Sequence, residues 1–500
     1  MLANILAGVQ SVFMPLNLLF MFLGLFVGII FGALPGFSAT MGVAVCLPIT
    51  YGMNPATALI LLSGVYCGGV YGGSIPAILL GIPGTPASAP TAFEGRPLTK
   101  RGEAGKALGI CTTASSIGGF ASAVALLMAS PLLAAVALRV GPPETMMIAI
   151  FGLSVVCMLS PDKFFKGLLV AAFALLLATI GQDPLYGYAR FTFGKLNLLS
   201  GVSVVPILIG IFALPEVFEM LETPDGKLVE CATVGRLLPK FSDFAHNIGN
   251  LIRSCLIGIG IGIIPAAGPD IAAFLSYNQA KKSSKHPEEY GTGSVEGIIA
   301  SETANNAVTG GSLIPLLSLG IPGSAPAALF LSALYLHGMQ PGAGLFTTNA
   351  ATTYTMMVGF AVINILLFFT GILFCKFAGR IVIIPKSILS TAIVVLAVVG
   401  SYSITKNMFD VYQMFIAGFV GYLLQKNDFP VSPVALALLL GSLLEKSISQ
   451  TTVMYPDNFL AIFTRPITIV FTLFIVIAFG WPVFQKIRKG SKEKNTSERI

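Results

Sequence analysis

The chain has 500 residues, 55% of them hydrophobic and only 10% charged, with a mean hydropathy of +0.86. Soluble globular domains carry roughly 25% charged residues, so this composition excludes a soluble protein and points to a polytopic membrane protein in a lipid bilayer. The net charge of +7 does not imply nucleic acid, because the cations collect in short loops and in the C-terminal group Lys486, Arg488, Lys489, Lys492 and Lys494, as the positive-inside bias requires.

In chain order, Met1–Phe13 lacks the basic start of a cleavable signal. Leu18–Leu34 is the first apolar block. It is followed by a Pro35-Gly36 turn with Ser38 and Thr40 just beyond it. The motif Gly81-Ile82-Pro83-Gly84, followed by Thr85, lies inside the next apolar stretch. The apolar blocks Thr145–Leu159 and Gly201–Met220 complete a first half. The polar stretch Glu222–Asn247 joins it to a second.

The second half begins with two apolar arms, Ile248–Ile264 and Ile271–Gln279, around Pro265–Pro269 with Asp270 after the tip. The motif then returns as Gly320-Ile321-Pro322-Gly323 followed by Ser324, an offset of 320 − 81 = 239 residues. Gly72-Gly73-Ser74 before the first copy matches Gly310-Gly311-Ser312 before the second. Leu34-Pro35-Gly36 answers to Ile264-Pro265 at an offset of 265 − 35 = 230, the difference being taken up by the polar insert Lys281–Tyr290. Thr355–Phe374, Ile388–Val399 and Thr468–Phe479 follow as further apolar blocks. With flanking residues most of these blocks reach the ~20 residues of a spanning helix.

Charge gives the orientation. Arg96, Lys100, Arg101 and Lys106 follow the first motif, whereas Gly338–Thr348 after the second is uncharged. Lys281, Lys282 and Lys285 precede the second, whereas Tyr51–Pro55 before the first is uncharged. Equivalent loops of opposite charge character predict two inverted-topology repeats. Each reads as a re-entrant hairpin, a broken helix and several whole helices. The expected organisation is a first membrane repeat over 1–221, a cytoplasmic linker over 222–246, a second repeat over 247–465, and a final transmembrane helix with a basic cytoplasmic tail over 466–500. Arg139 on the outer side is the exception to the charge rule.

Glycine and proline open a helix, and inside a bilayer an opened backbone is tolerated only where it is buried in protein or lines a cavity. Matched breaks point to the substrate site of a secondary transporter. Half-helices starting after Gly84 and Gly323 would aim orphan N–H groups and a positive dipole end at an anion. The Thr85 and Ser324 hydroxyls either cap those helices or bind ligand. Ser301-Glu302-Thr303-Ala304-Asn305-Asn306 precedes the second break. Asn305 lies ~18 Å along its segment, near the midplane. Its amide suits a carboxylate or a cation, and interhelical hydrogen bonding is the alternative. Glu302 is either a coupling or a structural group. The substrate-binding candidates are Pro35, Gly36, Ser38, Thr40, Gly84, Thr85, Asn305, Asn306, Gly323 and Ser324. The cation-coupling candidates are Asp270, otherwise an N-cap aspartate, with Asn305, Gly81 and Gly320. No Arg or Lys is expected near the midplane.

The seven cysteines are scattered without a CxxC pair and the three histidines stand alone, so no cofactor and no metal beyond a coupling Na+ are expected. Gly105-Lys106 is followed by Ala107 and lacks the spaced glycine of a phosphate loop. No nucleophile with a histidine partner is arranged for catalysis, so the chain is not expected to be an enzyme.

Taken together, Leu34-Pro35-Gly36, Gly72-Gly73-Ser74 to Gly84, Glu302-Thr303-Ala304-Asn305-Asn306 and Gly310 to Gly323 resemble the large membrane subunit of the tripartite tricarboxylate transporters, over nearly the whole chain. The resemblance implies a bacterial inner-membrane permease of elevator type with a cytoplasmic C-terminus. It implies work with a small membrane subunit and a periplasmic solute-binding protein, importing carboxylates of the citrate or tricarboxylate class by symport with Na+ or H+. The alternative is an uncoupled channel or exporter of small organic anions that needs no binding protein. A membrane-embedded transferase should show intramembrane His, Asp or Arg clusters, which the sequence lacks.

Overall fold

The computed structural model describes residues 2–34, 37–137, 140–158, 164–183, 186–222, 235–265, 267–377 and 386–476. Pro35, Gly36, Arg139, residues 223–234 of the expected linker and the basic tail lie outside the described residues. Among the described residues, six helices are long and apolar enough to cross a membrane: Pro15–Ala33, Pro55–Leu80, Ala104–Ala135, Val204–Glu222, Ala350–Cys375 and Ser432–Met454. Large apolar side chains such as Phe22, Leu132, Phe369 and Leu373 stand exposed on helix surfaces. Such faces suit contact with lipid rather than water.

The helices are α1 (Leu2–Val12), α2 (Pro15–Ala33), α3 (Ala39–Cys46), α4 (Pro55–Gly72), α5 (Ser74–Leu80), α6 (Ala89–Lys100) and α7 (Ala104–Ala137). Then come α8 (Pro142–Met158), α9 (Phe164–Ala178), α10 (Val204–Glu222), α11 (Phe241–Ala245), α12 (Ile248–Ile263), α13 (Gly268–Ser283) and α14 (Val295–Leu319). The chain continues through α15 (Ala325–Leu336), α16 (Ala343–Phe346), α17 (Ala350–Cys375), α18 (Lys386–Thr405), α19 (Met408–Lys426) and α20 (Ser432–Met454). Among the described residues the fold is all-α apart from an antiparallel strand pair, Gly181–Gln182 with Ala189–Arg190.

The chain forms two compact units that do not coincide with its sequence halves: Met1–Ala137 with Val205–Tyr422, and Leu138–Val204 with Leu423–Ile500. In the larger unit the same packing occurs twice. Arm α2 lies on α4, and arm α12 lies on α14. Helix α7 packs on α14, and α17 packs on α4. The arm α3 meets α15, and the arm α13 meets α6 and the short turn before it. An apolar cluster joins Met41 and Val45 of arm α3 to Ile209, Ala213 and Val217 of α10, Ile393 of α18 and Val411 and Met414 of α19. In the smaller unit α20 packs on α8 and α9. There Arg465 pairs with the buried Glu144, and Arg190 pairs with Glu445 and with Asp183 at 3.3 Å.

Lipid tails are as apolar as leucine, so helices in a membrane associate through close backbone packing and hydrogen bonds rather than through hydrophobicity. Small residues make that approach here. A Cβ on Gly68 of α4 would lie 2.6 Å from the Leu25 carbonyl oxygen of α2. A Cβ on Gly258 of α12 would lie 2.9 Å from the Ala304 Cα and 2.6 Å from the Ala307 Cβ of α14. Gly260, two residues along the same helix, has nothing within 4 Å of its added Cβ. Forced overpacking costs about 1–3 kcal/mol. Gly258→Val should therefore lower the thermal midpoint of the purified protein by several degrees, whereas Gly260→Val should leave it unchanged. Equal midpoints would show that the α12–α14 seam yields freely.

Candidate functional site

The two breaks have one local design. Helix α5 ends at Leu80, and Gly81 takes the left-handed conformation (φ 76°, ψ 14°). Helix α14 ends at Leu319, and Gly320 does the same (φ 75°, ψ 17°). Glycine reaches that region without a Cβ penalty, which is why it closes helices. The Gly81 N–H donates to the Ala77 carbonyl at 3.1 Å, and the Gly320 N–H donates to the Leu316 carbonyl at 2.9 Å. After each turn the chain folds back on its own helix. The Gly84 N–H donates to the Gly73 carbonyl at 3.0 Å, and the Gly323 N–H donates to the Ser312 carbonyl at 3.3 Å. Each of these pairs is related by the offset of 239 residues. A Cβ on Gly84 would run into the Gly32 carbonyl oxygen, and one on Gly323 into the Gly262 carbonyl oxygen. Gly32 and Gly262 are related by the hairpin offset of 230. The second hairpin tip also binds its break, the Gly268 N–H donating to the Gly323 carbonyl at 3.3 Å.

This geometry corrects one expectation. The N–H groups of Gly84 and Gly323 are not orphans awaiting an anion, and the Thr85 N–H is bonded to Ser88 Oγ at 3.3 Å. Folding the chain back onto Gly73 and Ser312 satisfies them internally, as a buried backbone requires. Ser324 is an N-cap, its Oγ accepting from the Ala327 N–H at 3.3 Å. Ser38 caps α3 through the Met41 N–H at 3.2 Å. Thr40 is half-buried in the first turn of α3. Asp270 is not the N-cap of α13: Ala267 holds that position, and Asp270 stands exposed in the first turn. A basic side chain does reach the end of the first half-helix. Arg96 of α6 reaches back to the Leu79 carbonyl at the end of α5, its side chain lying against Gly81. A cation there offsets the negative end of the α5 dipole.

Asn305 stands apart. It is fully buried, and neither its Oδ1 nor its Nδ2 has a hydrogen-bond partner among the described residues. Ser301, Asn305 and Ser312 share one face of α14 by helical spacing. Ser301 Oγ is 3.0 Å from Thr91 Oγ1, just after the first break. Ser312 Oγ is 2.9 Å from the hydroxyl of Tyr66 in α4, which also lies 2.7 Å from Ser324 Oγ at the second break. The open amide of Asn305 thus lies between a contact to the first break and a contact to the second. Asn306 donates to the Glu302 carbonyl at 3.3 Å, leaving its Oδ1 without a partner. Two further unpartnered buried oxygens are Thr303 Oγ1 and Asn364 Oδ1. Buried polar groups are normally bonded, and an open one calls for a ligand, ion or water.

Of the two roles the sequence left open for Glu302, the structure shows a densely bonded carboxylate, while Tyr66, Asn364 and Glu94 carried no expectation. Glu302 is fully buried and accepts from three hydroxyls on three helices: Ser74 at 2.5 Å, Ser115 at 2.9 Å and Thr91. Tyr66 and Asn364 were hidden because one polar residue in an apolar helix reads as interhelical bonding. Glu94 carries no motif of its own in the sequence. It is fully buried and binds the N–H groups of Gly291, Gly293 and Ser294 at 2.7, 2.9 and 2.7 Å, and the Tyr277 hydroxyl at 2.6 Å. The Gly291-Thr292-Gly293-Ser294 run was its only trace in the sequence, since glycines favour backbone nests for anions.

The chain matches the model of the family described as "Tripartite tricarboxylate transporter TctA family" over residues 18–436. It is 37% identical over 422 residues, 84% of each chain, to the "Uncharacterized 52.8 kDa protein in TAR-I ttuC' 3'region" of Agrobacterium vitis. It is also 38% identical over 162 residues to an "Uncharacterized protein in TAR-II ttuC' 3'region" of the same organism, covering 32% of this chain and 67% of that one. No solved structure matches it.

Hydrogen bonds to a charged group contribute about 1.5–3 kcal/mol. Glu94→Ala should therefore speed amide hydrogen exchange across residues 289–296 about tenfold or more, while Lys285→Ala should not. Unchanged exchange in Glu94→Ala would show that the loop is held by other contacts.

Proposed function

Because the chain belongs to the tripartite tricarboxylate transporter TctA family, we propose that it is the large permease subunit of a secondary transporter that imports carboxylates by symport, driven by a Na+ or H+ gradient. It is a transporter rather than an enzyme, and a multi-pass membrane protein. The family supplies the rest of the proposal: a small membrane subunit, a periplasmic solute-binding protein that delivers substrate, and a bacterial inner-membrane location with the C-terminus inside.

One observation carries the assignment of the site. The Asn305 amide is buried, unpartnered and set between the two breaks. An amide NH2 donates to a carboxylate, and its oxygen serves a cation. Both hairpins, both breaks and Asn305 belong to the larger compact unit, the candidate transport domain of an elevator. The smaller unit, built on α8, α9 and α20, is the candidate scaffold. The candidate coupling set is the oxygens around the breaks, from Asn305, Gly81 and Gly320 with Asp270. The opposite charge of equivalent loops supports inverted halves.

Single cysteines at the exposed positions Lys106 and Gly344, in a background free of native cysteines, should label from opposite sides of the membrane. Labelling of both from one side would end the inverted arrangement.

Proteoliposomes holding both membrane subunits should take up citrate-class acids only with the binding protein and under one of separately imposed Na+ or H+ gradients. Uptake without either would make the chain a channel. In that assay Asn305→Leu should lower uptake about tenfold or more, one charge-assisted hydrogen bond being worth ~1.5–3 kcal/mol. Its thermal midpoint should hold or rise, because an unpartnered buried amide gives way to an apolar group of similar size. Normal uptake with a lowered midpoint would make Asn305 a structural residue.

A further inference from the structure

The two repeats differ at paired positions that face the breaks. The offset that superposes the motifs also pairs Tyr66 with Asn305, since 66 + 239 = 305, and Gly73 with Ser312; this is one residue off the Gly-Gly-Ser match read from the sequence (312 − 74 = 238), and the fold-back bonds Gly84 N–H to Gly73 and Gly323 N–H to Ser312 fix it. Tyr66 sits in the first half but serves the second break: its hydroxyl bridges Ser312 Oγ at 2.9 Å and Ser324 Oγ at 2.7 Å. The repeat-related neighbours of Asn305 are Gly73 and Thr85 at the first break. Its surroundings agree, because Ser301 and Glu302, one turn before it, bond to Thr91 and Ser74 on either side of that break. The Thr85 side chain fills the place of the missing serine side chain at Gly73. The phenol of Tyr66 has no counterpart in sequence at the first break, and both amide atoms of the fully buried Asn305 stay without a partner among the described residues.

We infer that the site is one-ended: a carboxylate group of the transported acid takes the place at the first break, between Asn305 and Thr85, that the Tyr66 hydroxyl takes at the second, while Tyr66 keeps the second break closed as a built-in plug. This rests on the carboxylate-permease reading above and adds to it which break binds. Asn305 donates an N–H to the carboxylate and the Thr85 hydroxyl donates a second hydrogen bond. At the second break the corresponding donors are already consumed within the chain.

The test transplants the plug. The purified full-length chain is screened by ligand-induced thermal stabilisation against citrate, isocitrate, tricarballylate, malate, tartrate and succinate, and affinity is measured for the acid that stabilises it most. Asn305→Tyr should weaken that affinity at least tenfold while the ligand-free midpoint holds or rises, the first break now being filled as the second is. Tyr66→Phe, which lies outside the proposed ligand site, should keep affinity within threefold. Should Asn305→Tyr fail to fold, Thr85→Val supplies the same test, being of equal size and without the hydroxyl, and should weaken affinity about fivefold or more. Unaltered affinity in Asn305→Tyr, or in Thr85→Val where that variant stands in, or a loss in Tyr66→Phe as large as that in Asn305→Tyr, would overturn the one-ended site while leaving the carboxylate reading intact. If none of the six acids stabilises the unmodified chain, the carboxylate reading itself falls.

Discussion

A helix opened inside a bilayer must find a partner for every backbone group it frees, because no water is there to help. Both breaks of this chain meet that demand in the same way. A left-handed glycine closes the first half-helix, the chain turns, and the N–H of the last motif glycine returns to a carbonyl of the helix just left. That fold-back fits only if the arm of the hairpin touches the break backbone to backbone, which is why Gly84 meets Gly32 and Gly323 meets Gly262. The seams α2–α4 and α12–α14 follow from the same demand, since a side chain at Gly68 or Gly258 would push the arm away.

With the backbone satisfied, chemistry passes to side chains. The hydroxyls of Ser74, Thr91 and Ser115 surround the Glu302 carboxylate, and Glu94 gathers three N–H groups ahead of α14. Both acids lie in the larger unit and tie the region of the first break to α14 of the second half. Each is buried with donors directed at it, which is how a bilayer protein carries carboxylates in its interior. In this well-paired setting the unpartnered amide of Asn305 is an exception, and exceptions of that kind mark places where something else binds. Substitutions at Gly84 or Gly323 are poorer probes, because a Cβ there meets the hairpin carbonyl before it meets any ligand.

The membrane class, the two motif copies and the helix breaks within them were legible in the sequence, because each depends on residue type and spacing alone. Low charge, a repeated Gly-Ile-Pro-Gly and an asparagine pair in an apolar segment have few other uses in a bilayer. The partners of freed groups were not legible. Orphan N–H groups at Gly84 and Gly323 followed from helix geometry, but the fold-back onto Gly73 and Ser312 returns across eleven residues, past a whole half-helix end, which local rules do not specify. Asp270 had the composition of a cap, yet Ala267 takes the cap position. Arg96 read as a loop cation, yet it reaches the carbonyl end of α5.

Sequence by itself therefore determined the solvent this chain lives in, where its helices break and which polar residues sit at depth, since hydropathy and backbone preference are properties of short segments. Only the tertiary structure decided which of those polar groups are used up inside the protein. The Tyr66 hydroxyl is consumed by Ser312 and Ser324, more than two hundred residues away, while its repeat partner Asn305 is left open. Hydrogen bonding is short-ranged and directional, so whether a buried group is satisfied depends on which distant segments the fold brings within about 3 Å of it.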